Sequence, residues 1–236
     1  GKFSDFGDIH TMMGTILFEP LPPDEKELLT VMSMMLVFSA SQAEWISGRA
    51  DAEILLRRLA RSNGFITYIS QDGTYKLHHL MQESVQQAFA RLPEEQQAKY
   101  LSRAGMWQLE HGYAASAARL FYKARDFHGL MRAVECGQGA DLSAEHKNEM
   151  LAWFRECPRA VCNAYPVAML VYARRLFTFN MRAECTAVAA GLFCRKMDGR
   201  FCRKKPDTDV RRAGRIDVAG VFCRTREGRG QSRSLH

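Results

Sequence analysis

Phe65-Ile66-Thr67-Tyr68-Ile69-Ser70-Gln71-Asp72-Gly73-Thr74-Tyr75-Lys76-Leu77-His78-His79 is the stretch on which the fold turns. Its first five residues are β-branched or aromatic. Ser70 to Gly73 carry turn chemistry, and Thr74 to Leu77 return to strand-forming residues. The stretch therefore reads as a β-hairpin closed by a D-G turn. On both sides of it the period of the apolar residues is helical. After His79, Leu80, Met81, Ser84, Val85, Ala88, Phe89 and Leu92 follow a helical repeat. Before it, Asp51 opens a helix with Ile54, Leu55 and Leu59 inward and Arg57, Arg58 and Arg61 outward, which Asn63-Gly64 stops.

Further upstream, Ser41 and Glu44 form a capping box that starts a short helix carrying Trp45 and Ile46, closed by Gly48. Asp24 is expected to cap an earlier helix with Leu28, Leu29, Met32, Met35 and Leu36 as its apolar stripe. Another helix is expected over residues 9–18, ended by Pro20-Leu21-Pro22-Pro23. The longest uncharged apolar run, residues 28–40, is too short for a bilayer span of roughly 20 residues and reads as a buried helix. Three helices, a hairpin and a closing helix are the order of a winged-helix unit. The fold class expected is mostly α: a winged-helix unit with one β-hairpin, then an antiparallel, tetratricopeptide-like helical-repeat array.

From Pro93, read as the first residue of a helix, to about residue 193 the sequence gives only helical segments. These are expected at 97–111, 114–124, 127–136, 143–155, 167–180 and 182–193. Ala114, Ala115, Ala117 and Ala118 permit close helix approach. Trp107-x-Leu109, Gly112-Tyr113 and Ala117-x-x-x-Phe121 resemble one tetratricopeptide unit. Three domains follow: 1–92 a winged helix with its preceding helix, 93–196 the repeat array, and 197–236 a basic tail.

The charge belongs to that tail. Residues 195–236 hold 13 Lys and Arg against 5 Asp and Glu, whereas residues 1–194 hold 20 against 21. The net +7 of the chain is thus no sign of a phosphate-binding body. The tail lacks a sustained amphipathic period and is predicted to be disordered, a nonspecific polycation produced by truncation or frame disruption after about residue 193. The opening at Gly1-Lys2-Phe3 is in mid-pattern, so the chain is expected to be a piece of a longer protein or a processed form. Seven cysteines, an odd number without a CxxC, fit reduced thiols in the cytoplasm better than a disulfide framework.

Gly48-Arg49-Ala50-Asp51, Leu55-Leu56, Leu59, Ser62-Asn63-Gly64-Phe65-Ile66 and Tyr75-Lys76-Leu77-His78-His79-Leu80 together resemble the winged-helix segment of large LuxR-type transcription regulators. These are the maltose-regulator-like members of the STAND class of signalling ATPases. Arg103-Ala104, Trp107, His111-Gly112, Ala117-Ala118 and Ala124-Arg125-Asp126-Phe127 are similar to the start of their helical sensor domain. The resemblance covers about residues 9–193. It implies a nucleotide-binding domain of the same chain before the winged helix, an inducer or protein partner on the array, and DNA contact only through a C-terminal domain not in this sequence. ATP and ADP would be cofactors of the full-length parent, with slow ATP hydrolysis there. No cofactor is expected here, since the G-x-x-x-x-G-K-[ST] phosphate loop is lacking.

The resemblance also places His78 where related proteins use a histidine to reach bound ADP. An imidazole N–H can donate to a phosphate oxygen and responds near neutral pH; the plainer reading is a histidine packing at a strand–helix junction. His79 and Glu83 stand at i, i+4, a spacing able to hold a metal, but without a third ligand they read as solvated surface, and no metal is expected. Cys157 and Cys162 do not have a zinc spacing. Arg57, Arg58 and Arg61 occupy the recognition position of a DNA-binding winged helix, or else an exposed face against a neighbouring domain. The sequence contains no G-x-S-x-G, H-E-x-x-H or G-x-G-x-x-G, and the chain is not expected to be an enzyme or to contact a membrane. The expected function is a regulator fragment that couples a nucleotide-binding domain to an inducer- or partner-binding array. The alternatives are a stand-alone winged-helix DNA-binding protein and a helical-repeat interaction scaffold.

Overall fold

The computed structural model describes residues 16, 18–62, 66–139 and 144–197. The expected helix over 9–18, the Asn63-Gly64 stop with Phe65 at the start of the hairpin, and the basic tail therefore fall wholly or mostly outside the described residues. The chain divides into units 1–193 and 194–236, and of the second only 194–197 are described, as the end of the last helix.

α1 (Pro23–Met32) starts without a side-chain cap: Pro22 holds the N-cap position and Pro23 is preset for the first turn, where Asp24 and Glu25 face the positive end of the helix. Asp24 is thus a first-turn residue and not the expected cap. The helix also stops earlier than expected. Leu28, Leu29, Val31 and Met32 are buried, but the apolar run then straightens into β1 (Val37–Ser39), a strand where a continuous helix was expected. Apolarity cannot separate buried helix from strand, and Leu36 is 51% exposed, outside the expected stripe.

The Ser39 hydroxyl, not that of Ser41, accepts from the Gln42 N–H at 3.1 Å and caps α2 (Ala40–Ser47). Gly48, at φ 76°, closes it as expected. α3 (Ala52–Ser62) buries Leu55, Leu56 and Leu59, while Ile54, expected inside, is 68% exposed. β2 (Ile66–Ile69) and β3 (Thr74–Leu77) form the hairpin, and β1 adds to the other side of β3. The sheet is therefore three-stranded and antiparallel, in order β1-β3-β2, where two strands were expected. Phe38 lies opposite Tyr75 and Tyr75 opposite Tyr68, so one aromatic row crosses all three strands, with centroid spacings of 6.5 and 5.0 Å. α4 (His79–Ala90) covers the unit with Met81 and Val85. Leu28, Met32, Phe38, Ile46, Leu56, Leu59, Ile66 and Leu77 complete this first core.

Every described element beyond it is helical. α5 (Glu94–Glu110) starts behind Pro93, which sits at the N-cap and not inside the first turn. α6 (Ala114–Lys123) and α7 (Phe127–Gly137) follow. After a single 3-10 turn come α8 (Lys147–Glu156), the six-residue α9 (Arg159–Ala164), α10 (Pro166–Thr178) and α11 (Arg182–Met197). The sequence reading did not anticipate α9. α6, α7, α8 and α10 enclose a second core of Phe121, Leu130, Val134, Met150, Trp153 and Ala168. The molecule is thus mostly helical, a winged helix followed by a helical array. No helix among the described residues is long and apolar enough to cross a membrane.

Candidate functional site

Three places could carry function: the strand–helix junction at His78, the outer face of α3, and the seam where the winged helix meets α5. The sequence singled out the first two. It placed Trp45, Arg103 and Trp107 in helices without linking them, because their meeting is a long-range contact.

His78 follows β3 directly, and its carbonyl accepts the Met81 N–H at 3.0 Å, which starts α4. Its ring is half-buried and stands 4.4 Å, centroid to centroid, from that of exposed His79. The junction holds the two rings as neighbours. His79 and Glu83 gather no further ligand: among the described residues no group of three His, Cys, Asp or Glu side chains is placed to hold a metal.

The α3 face is strongly cationic by sequence but not by geometry. Arg57 donates to Glu53 at 2.6 Å, and the charge of Glu53 is the main cause that holds its guanidinium pKa up, with the Tyr75 hydroxyl adding to it. Arg58 donates to Glu25, a carboxylate with only 4% of its side chain exposed, and to Asp24 at 3.1 Å. Two of the three arginines are thereby committed to acidic partners, leaving Arg61 beside a shallow groove lined by Ala60, Ile66, Thr67 and Tyr68. Such a face has little positive potential to offer a phosphate backbone.

At the seam, Arg103 of α5 donates to the Trp45 carbonyl at the end of α2. A Cβ on Gly48 would stand 2.9 Å from the same guanidinium, so the glycine serves both the left-handed turn and the approach of Arg103. Beside it the rings of Trp45 and Trp107 lie 6.2 Å apart, and Trp107 stacks on His111 at 4.1 Å. Ala104 of α5 reaches into the first core and Leu109 packs on the second, so α5 belongs to both.

The element order, the three-stranded sheet and the α3–hairpin arrangement define the first part of the chain as a winged helix, continued by a helical array through α5. Residues 15–97 match the family model of the MalT winged helix domain, so this region is a MalT-like winged helix; the match ends within the first turn of α5. No curated protein and no solved structure matches the chain.

Proposed function

We propose that this chain is the central portion of a LuxR-type regulator of the STAND class, in which the winged helix reports the ADP or ATP state of a nucleotide-binding domain of the same protein to a helical array that binds an inducer or protein partner. The observation that carries the reading is the MalT-like winged helix running without a break into helices that share α5 with it. The strip of Val167, Leu170 and Phe177 exposed along α10 supports a partner on the array. The protein acts in the cytoplasm, is not itself an enzyme, and touches DNA only through a separate domain.

In this reading His78 contacts the phosphates of ADP in the full-length parent. A hydrogen bond to a charged group is worth roughly 1.5–3 kcal/mol. His78→Ala should therefore weaken ADP binding by about 10- to 100-fold and raise uninduced reporter output, whereas His79→Ala changes little. If both variants keep the parental ADP affinity and output, or if His79→Ala has the larger effect, the nucleotide-sensing role is wrong and the scaffold reading takes its place.

The rival reading, a stand-alone DNA-binding winged helix, has the pairing of Arg57 and Arg58 against it. A mobility-shift titration of a chain ending at residue 197 separates the two. Tight, salt-dependent binding of duplex DNA would favour the rival.

A further inference from the structure

α3 and the neighbouring sheet edge bound two adjoining grooves. One, of about 510 Å³, is lined by Ala60 of α3 and by Ile66, Thr67 and Tyr68 of β2. The other, of about 500 Å³, lies along α3 beside Ile54 and Ser62. Arg57 and Arg61 line both, and among the described residues no carboxylate lines either. Each groove also has an exposed apolar side chain of its own. Tyr68 in the first is 51% exposed and Ile54 in the second 68%, so the shared arginines are flanked by apolar surface on both sides.

β2 adds a backbone component. It stands at one edge of the sheet and, among the described residues, pairs with β3 alone. Alternate residues of such a strand turn their N–H and C=O groups away from the sheet, where an extended chain can pair with them.

The chemistry of the strip favours a peptide over a nucleic acid. A phosphate backbone is held by many cations at once, and here Arg57 is engaged by Glu53 and Arg58 by Asp24 and Glu25. A peptide carboxylate needs one guanidinium fork, and Arg61 offers it from the exposed last turn of α3. Apolar side chains on either side of that carboxylate would cover Ile54 and Tyr68, area that a duplex would leave in water.

We propose that this strip docks an extended segment of a protein partner with the pattern apolar-x-acidic-x-apolar, which puts all three side chains on one face of the segment, its acidic residue meeting Arg61. The surface uses no residue of the His78 junction, so it stands or falls apart from the nucleotide reading.

The test is fluorescence anisotropy of the full chain with a fluorescein-labelled peptide built on Leu-Ser-Glu-Ser-Leu, against one of the same composition built on Leu-Leu-Ser-Ser-Glu. Physiological ionic strength screens the basic tail, which is common to every variant. The first peptide should bind more tightly by about fivefold or more, because only it places both leucines. Arg61→Glu should weaken it by about tenfold, a repulsion replacing an attraction, and Ile54→Ser by about fivefold. Arg132→Glu, the same charge change at an exposed position of α7, should leave it unchanged. A far-ultraviolet circular dichroism spectrum like the parent's qualifies each variant. Equal affinity for the two peptides, no binding of either, an equal loss in Arg132→Glu, or full binding by Arg61→Glu or Ile54→Ser would each overturn the docking site. So would tight binding of duplex DNA that Arg61→Glu abolishes.

Discussion

Phe121 shows how tightly single residues fix the array. A Cβ on Gly105 of α5 would lie 2.9 Å from its ring and one on Gly129 of α7 only 2.4 Å, so the ring fills the space that two glycines leave. Gly129→Ala should lower unfolding free energy by about 1–3 kcal/mol, the usual cost of overpacking. Chemical denaturation checks it, and Phe121→Leu in the same chain should recover part of the loss. Part of the repeat was legible in the sequence: Ala117-x-x-x-Phe121 is buried at the expected spacing. It packs with Leu101-x-x-Ala104-Gly105 of α5, whereas Trp107, grouped with the same unit by its sequence, faces Trp45 instead. Large aromatic rings dominate a reading by residue type, whereas the close contact here is set by residues with almost no side chain. Cysteine behaviour is a second matter of this scale. Burial, with Cys162 adding to it, pushes the Cys157 thiol up to about 12. Above the ordinary thiol value of 9.0 an unfolded chain loses a proton that the folded one keeps. Folding stability should therefore fall as pH rises from 9 toward 12. At pH 8, iodoacetamide followed by peptide mass spectrometry should find exposed Cys136 alkylated well before Cys157, Cys162 or Cys185.

Elements in the array end by one recurring device. α5, α6 and α10 each finish with a left-handed residue, Gly112, Arg125 and Asn180, followed by a backbone bond back to the last turn: Tyr113 to Gln108, Asp126 to Phe121 and Met181 to Leu176, at 2.8–2.9 Å. Only the glycine announces itself in sequence, so the helical spacing carries the expected helix on to Asn180, past its end at Thr178. Asn180→Gly should stabilise the protein by about 0.5–1 kcal/mol by removing the left-handed strain, measured as a raised urea midpoint. Arg125→Gly should gain less, since Arg125 also donates to Glu156. In the winged helix the element-level surprise is β1. Its three residues pair only with β3, and their partner lies far along the chain, beyond the reach of local periodicity. The ion pair of Arg58 with Glu25 ties α3 to α1 in the same long-range way. Arg58→Met should lower the unfolding midpoint, and Glu25→Gln in the same chain should return most of it, because the charge left stranded would then be neutral.

On the scale of the whole molecule the architecture was legible because it rests on order: hairpin after three helices, then helices alone. How the two cores are joined was not, because a joint made by Arg103, Trp45 and Gly48 has no signature in any one window of sequence. Arg103→Ala removes the bond that fixes α2 to α5 and should make unfolding less cooperative, with the winged helix losing its near-ultraviolet signal before the array. The same joint has an optical consequence. Trp45 and Trp107 straddle it at 6.2 Å, close enough for their excited states to interact, while the third tryptophan, Trp153, lies fully buried in the array core. The protein therefore contains a native distance gauge with an internal reference. Any swing of the winged helix should alter the emission of the pair against a steady Trp153 background, readable without attaching a dye.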